Sequence, residues 1–489
     1  MNLRITDGVT RHPDWRMAEP INLHIADGEQ VAIVGNNAAG KSRLVEVLTG
    51  HYPLLQNEVQ YDFGPGAKRL VSENIKYISF RDSYGESDGT YYYQQRWNQH
   101  DIDEATPTVR EALGLEALEA AGHAKHLLPL GILDNDSLLD KYIITLSSGE
   151  LRRFQLTKAL LTNPSLLILD NPFIGLDASA RDGLRLLLEQ LIRQTSLQII
   201  LVLSRPADIP SFVTHIVPVE GLRLLPKQTR SEYLSRVQPT VAPTVHPALL
   251  SLPHKDLAAE SFYPHQGGEI LRFNHVSIRY GERTILDDLS WTVREGERWS
   301  LTGPNGSGKS TLLSLVCADN PQAYACDIRL FGHQRGHGES IWEIKRHIGY
   351  VSPEMHRAYQ RDLPAIDIVA SGLRDSVGLY VRPRPEEREQ CLRWMRIFGI
   401  ESLAERTFLR LSSGQQRLCL LARAFVKDPE LLILDEPLHG LDDAGRVHVK
   451  AIIETFCQRP HKTLVMVTHY EEELPDGITN RLVLPQRPA

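Results

Sequence analysis

Cysteine is scarce: Cys317, Cys326, Cys391, Cys419 and Cys457 are the whole complement of a 489-residue chain, and all lie in its second half. Their number is odd and no pair has C-x-x-C spacing, so zinc, iron–sulfur and disulfide-framework readings lack support. Long apolar runs are also missing. No run of ~18 apolar residues, the length that marks a membrane helix, occurs. Met1-Asn2-Leu3-Arg4 opens without the apolar stretch of a secretion signal. A soluble, cytoplasmic chain is expected. There is no excess of positive charge either: 54 Lys+Arg stand against 61 Asp+Glu, for a formal charge of −7. Such a chain offers no field for gripping a phosphate backbone, and direct nucleic-acid binding is not expected.

What is present is a globular composition, 42% hydrophobic and 24% charged, over about three times the usual domain length of ~150 residues. Two or three domains follow from length alone. Internal repetition then decides between them. Residues 12–42 align without gaps on 280–310 at an offset of 268, setting His12 on Tyr280 and Lys41 on Lys309. Residues 146–170 repeat at 411–435 with an offset of 265. The expected domains are 1–225 and 269–489. Between them 226–268 carries six prolines and ends in Gly267-Gly268, which reads as a semi-rigid, mostly extended linker, with a short helix conceivable near Glu232–Val237. Short β-branched runs such as Val31–Val34 and Leu166–Leu169 alternate with amphipathic stretches such as Arg181–Thr195. That pattern argues α/β, with a buried, mostly parallel sheet in each domain.

After one apolar run comes Gly35-Asn36-Asn37-Ala38-Ala39-Gly40-Lys41-Ser42, and after its counterpart Gly303-Pro304-Asn305-Gly306-Ser307-Gly308-Lys309-Ser310-Thr311. Both fit the P-loop. Its glycines let backbone N–H groups face phosphates, its lysine reaches the β- and γ-phosphates, and Ser42 or Ser310 can ligate Mg²⁺. A lone match in a chain this long is roughly a one-in-fifty chance event at average composition, so it is the second copy at a fixed offset that carries weight. Each domain also has an apolar run ending in a carboxylate, Leu166–Asp170 and Leu431–Asp435. A carboxylate at a parallel sheet's C-terminal edge can position a metal, making Asp170 and Asp435 the companion candidates.

Leu146-Ser147-Ser148-Gly149-Glu150 and Leu411-Ser412-Ser413-Gly414-Gln415-Gln416-Arg417 complete the pattern, each with 23 residues from first serine to acid. Together with the P-loops and acid strands, these segments resemble the signature of ABC ATPases. Among tandem-cassette ABC transporter ATP-binding proteins, Ile341–Ser352 most resembles the ModF-like molybdate-transport proteins. The resemblance implies two P-loop NTPase domains, each with a helical signature subdomain. It also implies intramolecular head-to-tail pairing, each ATP lying between one half's P-loop and the other half's Ser147-Ser148-Gly149 or Ser412-Ser413-Gly414. ATP and Mg²⁺ are the implied cofactors, and separate membrane permease chains the implied partners, holding the chain at the inner face of the membrane. Serine is also a good N-cap, and both roles are compatible.

The two halves differ. Glu436 stands where the family's carboxylate polarises the attacking water, and His469, after Thr463–Val467, where its switch histidine stands. In the first half these positions hold Asn171 and Arg205. An amide bears no charge and cannot act as a base, so one competent and one degenerate site are expected. Tyr280 fits the adenine-stacking aromatic; its counterpart is His12, with Trp15 as a rival. Asp177 and Asp442 read either as the family's partner-touching loop or as helix N-caps.

Phe80 and Pro353 occupy the usual place of a metal-contacting glutamine, with Gln94, Gln95 or Glu354 as substitutes. The Tyr- and Gln-rich insert at 83–100 is either a partner-binding segment or a packed loop. The expected function is an ATPase energising membrane import of molybdate or another small anion. The alternatives are a ribosome-acting ATPase, which the Pro-rich linker and Asn171 oppose, and a nucleotide-dependent regulatory switch.

Overall fold

The computed structural model describes residues 1–79, 106–115, 136–146, 148–173, 176, 178–236, 252–253, 268–280, 283–304, 306–353, 355, 359, 362–376 and 381–485. These fall into two compact units, one within Met1–Val241 and one within Ala242–Ala489.

In unit 1 the strands are β1 (Asn2–Gly8), β2 (Ile21–Ile25), β3 (Val31–Val34), β4 (Gln60–Asp62), β5 (Ile75–Ser79), β6 (Leu166–Asp170), β7 (Gln198–Leu203), β8 (His215–Glu220), β9 (Arg223–Leu224) and β10 (Gln228–Thr229). The antiparallel layer β2-β1-β4 faces a larger sheet in the order β10-β8-β3-β7-β6-β5. From β8 to β5 that sheet is parallel. Its central strands are buried on both faces, which is why Val31–Val34 and Leu166–Leu169 read as unbroken apolar runs. Helices α1 (Lys41–Leu48), α2 (Ser148–Leu160), α3 (Ala178–Gln194) and α4 (Arg230–Arg236) are the longer ones of this unit, beside short helices at Val71–Asn74, Val109–Leu113 and Asp136–Leu139.

The start of the expected linker carries the short helix conceivable near Glu232–Val237, at Arg230–Arg236. Gln228 and Thr229 pair antiparallel with β8, α4 follows at once, and Tyr233 and Leu234 pack on the unit 1 core. Apolar burial holds this segment to the sheet edge despite the flanking prolines.

Unit 2 repeats the plan with β11 (Glu269–Tyr280), β12 (Arg283–Arg294), β13 (Arg298–Thr302), β14 (Ile328–Leu330), β15 (His333–Gln334), β16 (Ile348–Val351), β17 (Leu431–Asp435), β18 (Thr463–Val467) and β19 (Asn480–Val483). Its sheets run β12-β11-β14-β15, antiparallel, and β16-β17-β18-β13-β19, parallel. One core lies between the two sheets, around Phe273, Trp291 and Leu312. A second joins the far face of the parallel sheet to a helical layer of α6 (Ala365–Ser371), α7 (Pro385–Ile397) and α8 (Ser413–Phe425), centred on Trp394 and Phe425; α5 (Lys309–Val316) and α9 (Asp443–Cys457) flank the sheet. Leu252, from the Pro-rich stretch, is buried in that second core, and Arg459 donates to the Pro253 carbonyl at 3.5 Å. Among the described residues no helix is long and apolar enough to cross a membrane.

Candidate functional site

In each unit an interior strand of the parallel sheet, β3 or β13, runs directly into the glycine-rich loop. Gly35 follows β3, where a Cβ would stand 2.1 Å from the Val219 carbonyl oxygen, so only glycine fits. Gly40, at φ +110°, and Gly308, at φ +95°, turn the loops into α1 and α5. Lys41 donates to the carbonyls of Gly35 and Asn36 at 2.5 and 2.8 Å. Lys309 makes the same pair of contacts, to Gly303 and Pro304, at 2.6 and 2.9 Å. The two loops therefore share one curled conformation. Ser42 and Ser310 stand second in their helices, Thr311 and Ser307 are buried, and Asn305 lies outside the described residues.

Two strands away, β6 and β17 deliver Asp170 and Asp435 to the same sheet edge. The next residue is left-handed in both units, Asn171 at φ +50° and Glu436 at φ +51°. Their N–H groups donate to Val202 and Val467 at 2.8 and 2.9 Å. The backbone is thus alike while the chemistry differs.

The Glu436 carboxyl is pushed up to about 8, first by burial and then by the charge of Asp435, against the opposing pull of Arg417, Lys309 and Arg446. His469 brings Nε2 to 3.5 Å from Glu436 Oε1. Its loop is pinned by Thr468, whose hydroxyl donates to buried Glu473 at 2.5 Å, and Glu473 is ion-paired with Arg446 of α9. In unit 1, Asn171 Nδ2 donates to Asp170 Oδ1 at 2.8 Å and the Tyr77 hydroxyl to Asp170 Oδ2 at 3.0 Å. Strand register corrects one expectation: Asp170 stands opposite Val202 as Asp435 stands opposite Val467, so the residue at the His469 position is Ser204. Its hydroxyl donates to Asn37 of the P-loop at 3.3 Å, and Arg205 is the next residue along.

The signature segments start helices. Ser412 caps α8 in a reciprocal box, its Oγ accepting from Gln415 N at 3.3 Å and its N–H donating to Gln415 Oε1 at 3.1 Å. Ser413 and Gly414 form the first turn. In unit 1, Ser148 and Gly149 open α2, while Ser147 lies outside the described residues.

Arg417, which closes the second signature segment, has a role that the sequence pattern did not assign. Fully buried, it donates to the carbonyls of Ser352 (2.9 Å), Asp435 (2.7 Å), Pro437 (3.2 Å) and Glu436, clamping the ends of β16 and β17 to α8. Arg152 repeats the grip on the Pro172 carbonyl. The one available signal was the pairing of Arg417 with Arg152 at the same offset of 265.

Tyr280 ends β11 half-buried, its hydroxyl accepting from Asn320 Nδ2 at 3.0 Å. The rings of His12 and Trp15 lie 4.8 Å apart, and Trp15 stacks on Tyr52 at 4.1 Å. Asp442 acts as an N-cap, accepting from Gly445 N at 2.8 Å. Asp177, Phe80, Gln94, Gln95, Glu354 and the 83–100 insert lie outside the described residues. Pro353 follows β16 by two residues.

Both units match the family model described as ABC transporter, over residues 18–174 and 286–439. The chain belongs to the ABC transporter ATP-binding family. It is a tandem-cassette ABC ATPase, and domains of this family bind ATP. It is similar to the ABC transporter ATP-binding protein ModF of Escherichia coli, with 36% identity over 98% of this chain and 96% of that protein. An uncharacterized ABC transporter ATP-binding protein of Schizosaccharomyces pombe is 30% identical over 94% of this chain and 93% of its own length. Among solved structures, an archaeal ABCE1 ribosome recycling factor in complex with stalk protein aP1 shares the fold, with a TM-score of 0.50 and 18% identity over 95% of this chain and 84% of that one.

Proposed function

We propose that the chain is the ATP-hydrolysing subunit of a membrane importer, with a single site of turnover at the Lys309 P-loop. The observation that carries the single site of turnover is the contrast between Glu436 beside His469 and Asn171, with Ser204 at the strand register of His469. Glu436 is the candidate base: its carboxylate form accepts the proton of the attacking water, and His469, 3.5 Å from it, senses the γ-phosphate. Lys309 and the backbone N–H groups of Gly306–Lys309 hold the phosphates, and Tyr280 stacks on the adenine. The first-half signature, Ser147-Ser148-Gly149, faces this nucleotide once the halves pair.

Ser310 and Asp435 offer the hard oxygen donors that suit Mg²⁺. The ion, when bound, neutralises charge on the transferred phosphate. The Lys41 site, completed by Ser412-Ser413-Gly414, holds ATP without turning it over. ATP binding draws the halves together and hydrolysis releases them.

The domains are taken as 1–225 and 269–489, joined by the Pro-rich stretch. The permease is a separate set of chains, the chain works at the cytoplasmic face, and the likeness of Ile341–Ser352 to ModF-like proteins points to molybdate or a similar small anion as cargo. The test is capture of a Glu436→Gln variant, loaded with ATP and Mg²⁺, from detergent-solubilised cells, followed by mass spectrometry. A polytopic permease supports the reading. Ribosomal proteins instead, or no partner, contradict it.

A further inference from the structure

Asn320 is buried just beyond the end of α5, and both polar atoms of its side chain are engaged. Its Oδ1 accepts from Gln322 N at 3.0 Å, which fixes the amide so that Nδ2 faces the other way. Nδ2 donates to the Ser314 hydroxyl at 3.1 Å and to the Tyr280 hydroxyl at 3.0 Å. Ser314 lies on α5 and donates in turn to the Thr311 carbonyl at 2.7 Å. A run of hydrogen bonds thus ties the helix that leaves the P-loop to the ring of Tyr280. The other side of the ring's setting leads to the same loop. Tyr280 pairs with Arg283 at the last register position of β11 and β12, and two residues on, the Ile285 carbonyl oxygen lies 3.3 Å from where a Gly308 Cβ would stand.

The position recurs in unit 1 with other chemistry. Helices α1 and α5 begin at Lys41 and Lys309, an offset of 268 that sets Tyr52 on Asn320 and Glu46 on Ser314. The backbone agrees: Tyr52 N donates to the Glu46 carbonyl at 2.9 Å, as Asn320 N donates to that of Ser314 at 3.2 Å. Tyr52 also touches a ring, stacking on Trp15 at 4.1 Å with 8° between the planes. Trp15 lies between β1 and β2, as Tyr280 lies where β11 gives way to β12. In both units, then, the residue four positions past the P-loop helix holds an aromatic side chain from the junction of the first two strands. A contact that only closed the loop after the helix would need no aromatic partner in either unit.

We propose that Asn320 is the positioning residue for Tyr280, holding its ring ready for the nucleotide base before ATP arrives. This rests on the reading of Tyr280 as the aromatic that stacks on the adenine. A phenol ring swings about its Cα–Cβ bond, and anchoring the hydroxyl at its far end holds that swing to one rotamer. The freedom is then surrendered on folding rather than on binding, and affinity gains by that amount. Because the bond reaches the hydroxyl and not the stacking face, it sets how tightly the base is held and leaves the phosphate contacts of Lys309 alone.

The experiment measures steady-state ATP turnover by the full chain, together with inhibition by inorganic tripolyphosphate, which has the phosphates but no base. Tyr280→Phe keeps the ring and removes only the hydroxyl that Asn320 grips, and Asn320→Ala removes the donor. Each is expected to raise the KM for ATP about three- to tenfold, the scale of one hydrogen bond or one immobilised side chain, with kcat within about twofold and tripolyphosphate inhibition unchanged. The double variant should be no worse than the poorer single one, since both changes remove the same contact. An unchanged KM in Tyr280→Phe, or effects that multiply in the double variant, overturn the inference; the first outcome decides even if Asn320→Ala does not fold. Equal weakening of ATP and tripolyphosphate shows a structural role alone and overturns it too. Tyr280→Ala checks the underlying reading. A KM rise larger than that of Tyr280→Phe is expected, and an unchanged KM overturns the adenine reading and the inference with it.

Discussion

Arg417→Lys keeps the charge and removes the fork, and so separates electrostatics from geometry at the clamp. The guanidinium reaches four carbonyls, those of Ser352, Asp435, Glu436 and Pro437, from a fully buried position. An ammonium is a single point on a flexible stem and can serve about two of them at once. Two of these carbonyls then lose the guanidinium at about 1–3 kcal/mol each, least for Ser352 and Glu436, which also accept from the Met355 and His439 N–H groups, and the loss is put near 3 kcal/mol. For a domain of this size that is a fall of roughly 6–12 °C in the Tm of unit 2. Differential scanning calorimetry reads the transition, and hydrogen exchange in peptides spanning 348–353 and 431–437 localises it. The clamp also holds Glu436 in its left-handed conformation, so turnover should fall about tenfold or more while ATP affinity stays within about threefold. A Tm within about 2 °C of the parent, with unchanged exchange in both peptides, would refute the reasoning.

Two further predictions concern buried ion pairs of unit 2. Lys427 is paired with Asp375, and burial depresses its ammonium to about 8. In Asp375→Asn the lysine loses that partner and its pKa falls further. The folded state then binds fewer protons than the unfolded one from below 8 up to the ordinary lysine range, so stability rises with pH through that window. A deficit of about 3 kcal/mol at pH 7 that shrinks by pH 9 is expected in chemical unfolding, and a deficit that grows with pH would contradict it. Glu473→Gln breaks the Arg446 pair and weakens the Thr468 contact, freeing the His469 loop. Stopped-flow and steady-state assays should show turnover falling about tenfold with ATP binding little changed; equal loss of both would show a global defect instead.

Features that depend on local pattern were legible in the sequence. Val31–Val34 is a strand at those bounds, because a strand buried on both faces must be a continuous apolar run. The stretch noted at Arg181–Thr195 is the body of a helix that begins at Ala178 and ends at Gln194. The P-loops were legible because glycine recurs where a Cβ would collide or φ is positive, at Gly35, Gly40, Gly303 and Gly308. What escaped notice depends on contacts across the fold. Arg417 reaches Ser352, 65 residues away, and no pattern distinguishes a buried arginine serving carbonyls from a solvated one on a helix. The pinning of Asp170 by Tyr77 spans 93 residues and is likewise invisible to spacing. At the start of the Pro-rich stretch the short helix conceivable near Glu232–Val237 is present as Arg230–Arg236, fixed by tertiary burial of Tyr233 and Leu234 that spacing does not show.

The account stands or falls on one carboxylate in unit 2. The direct measurement is steady-state phosphate release by Glu436→Gln at saturating ATP and Mg²⁺, with bound nucleotide counted on the same sample. Turnover about a hundredfold or more below the parent, with nucleotide still bound at both P-loops, is the predicted result. Retention of more than about a tenth of the parental rate would contradict the assignment of a single hydrolytic site to Glu436.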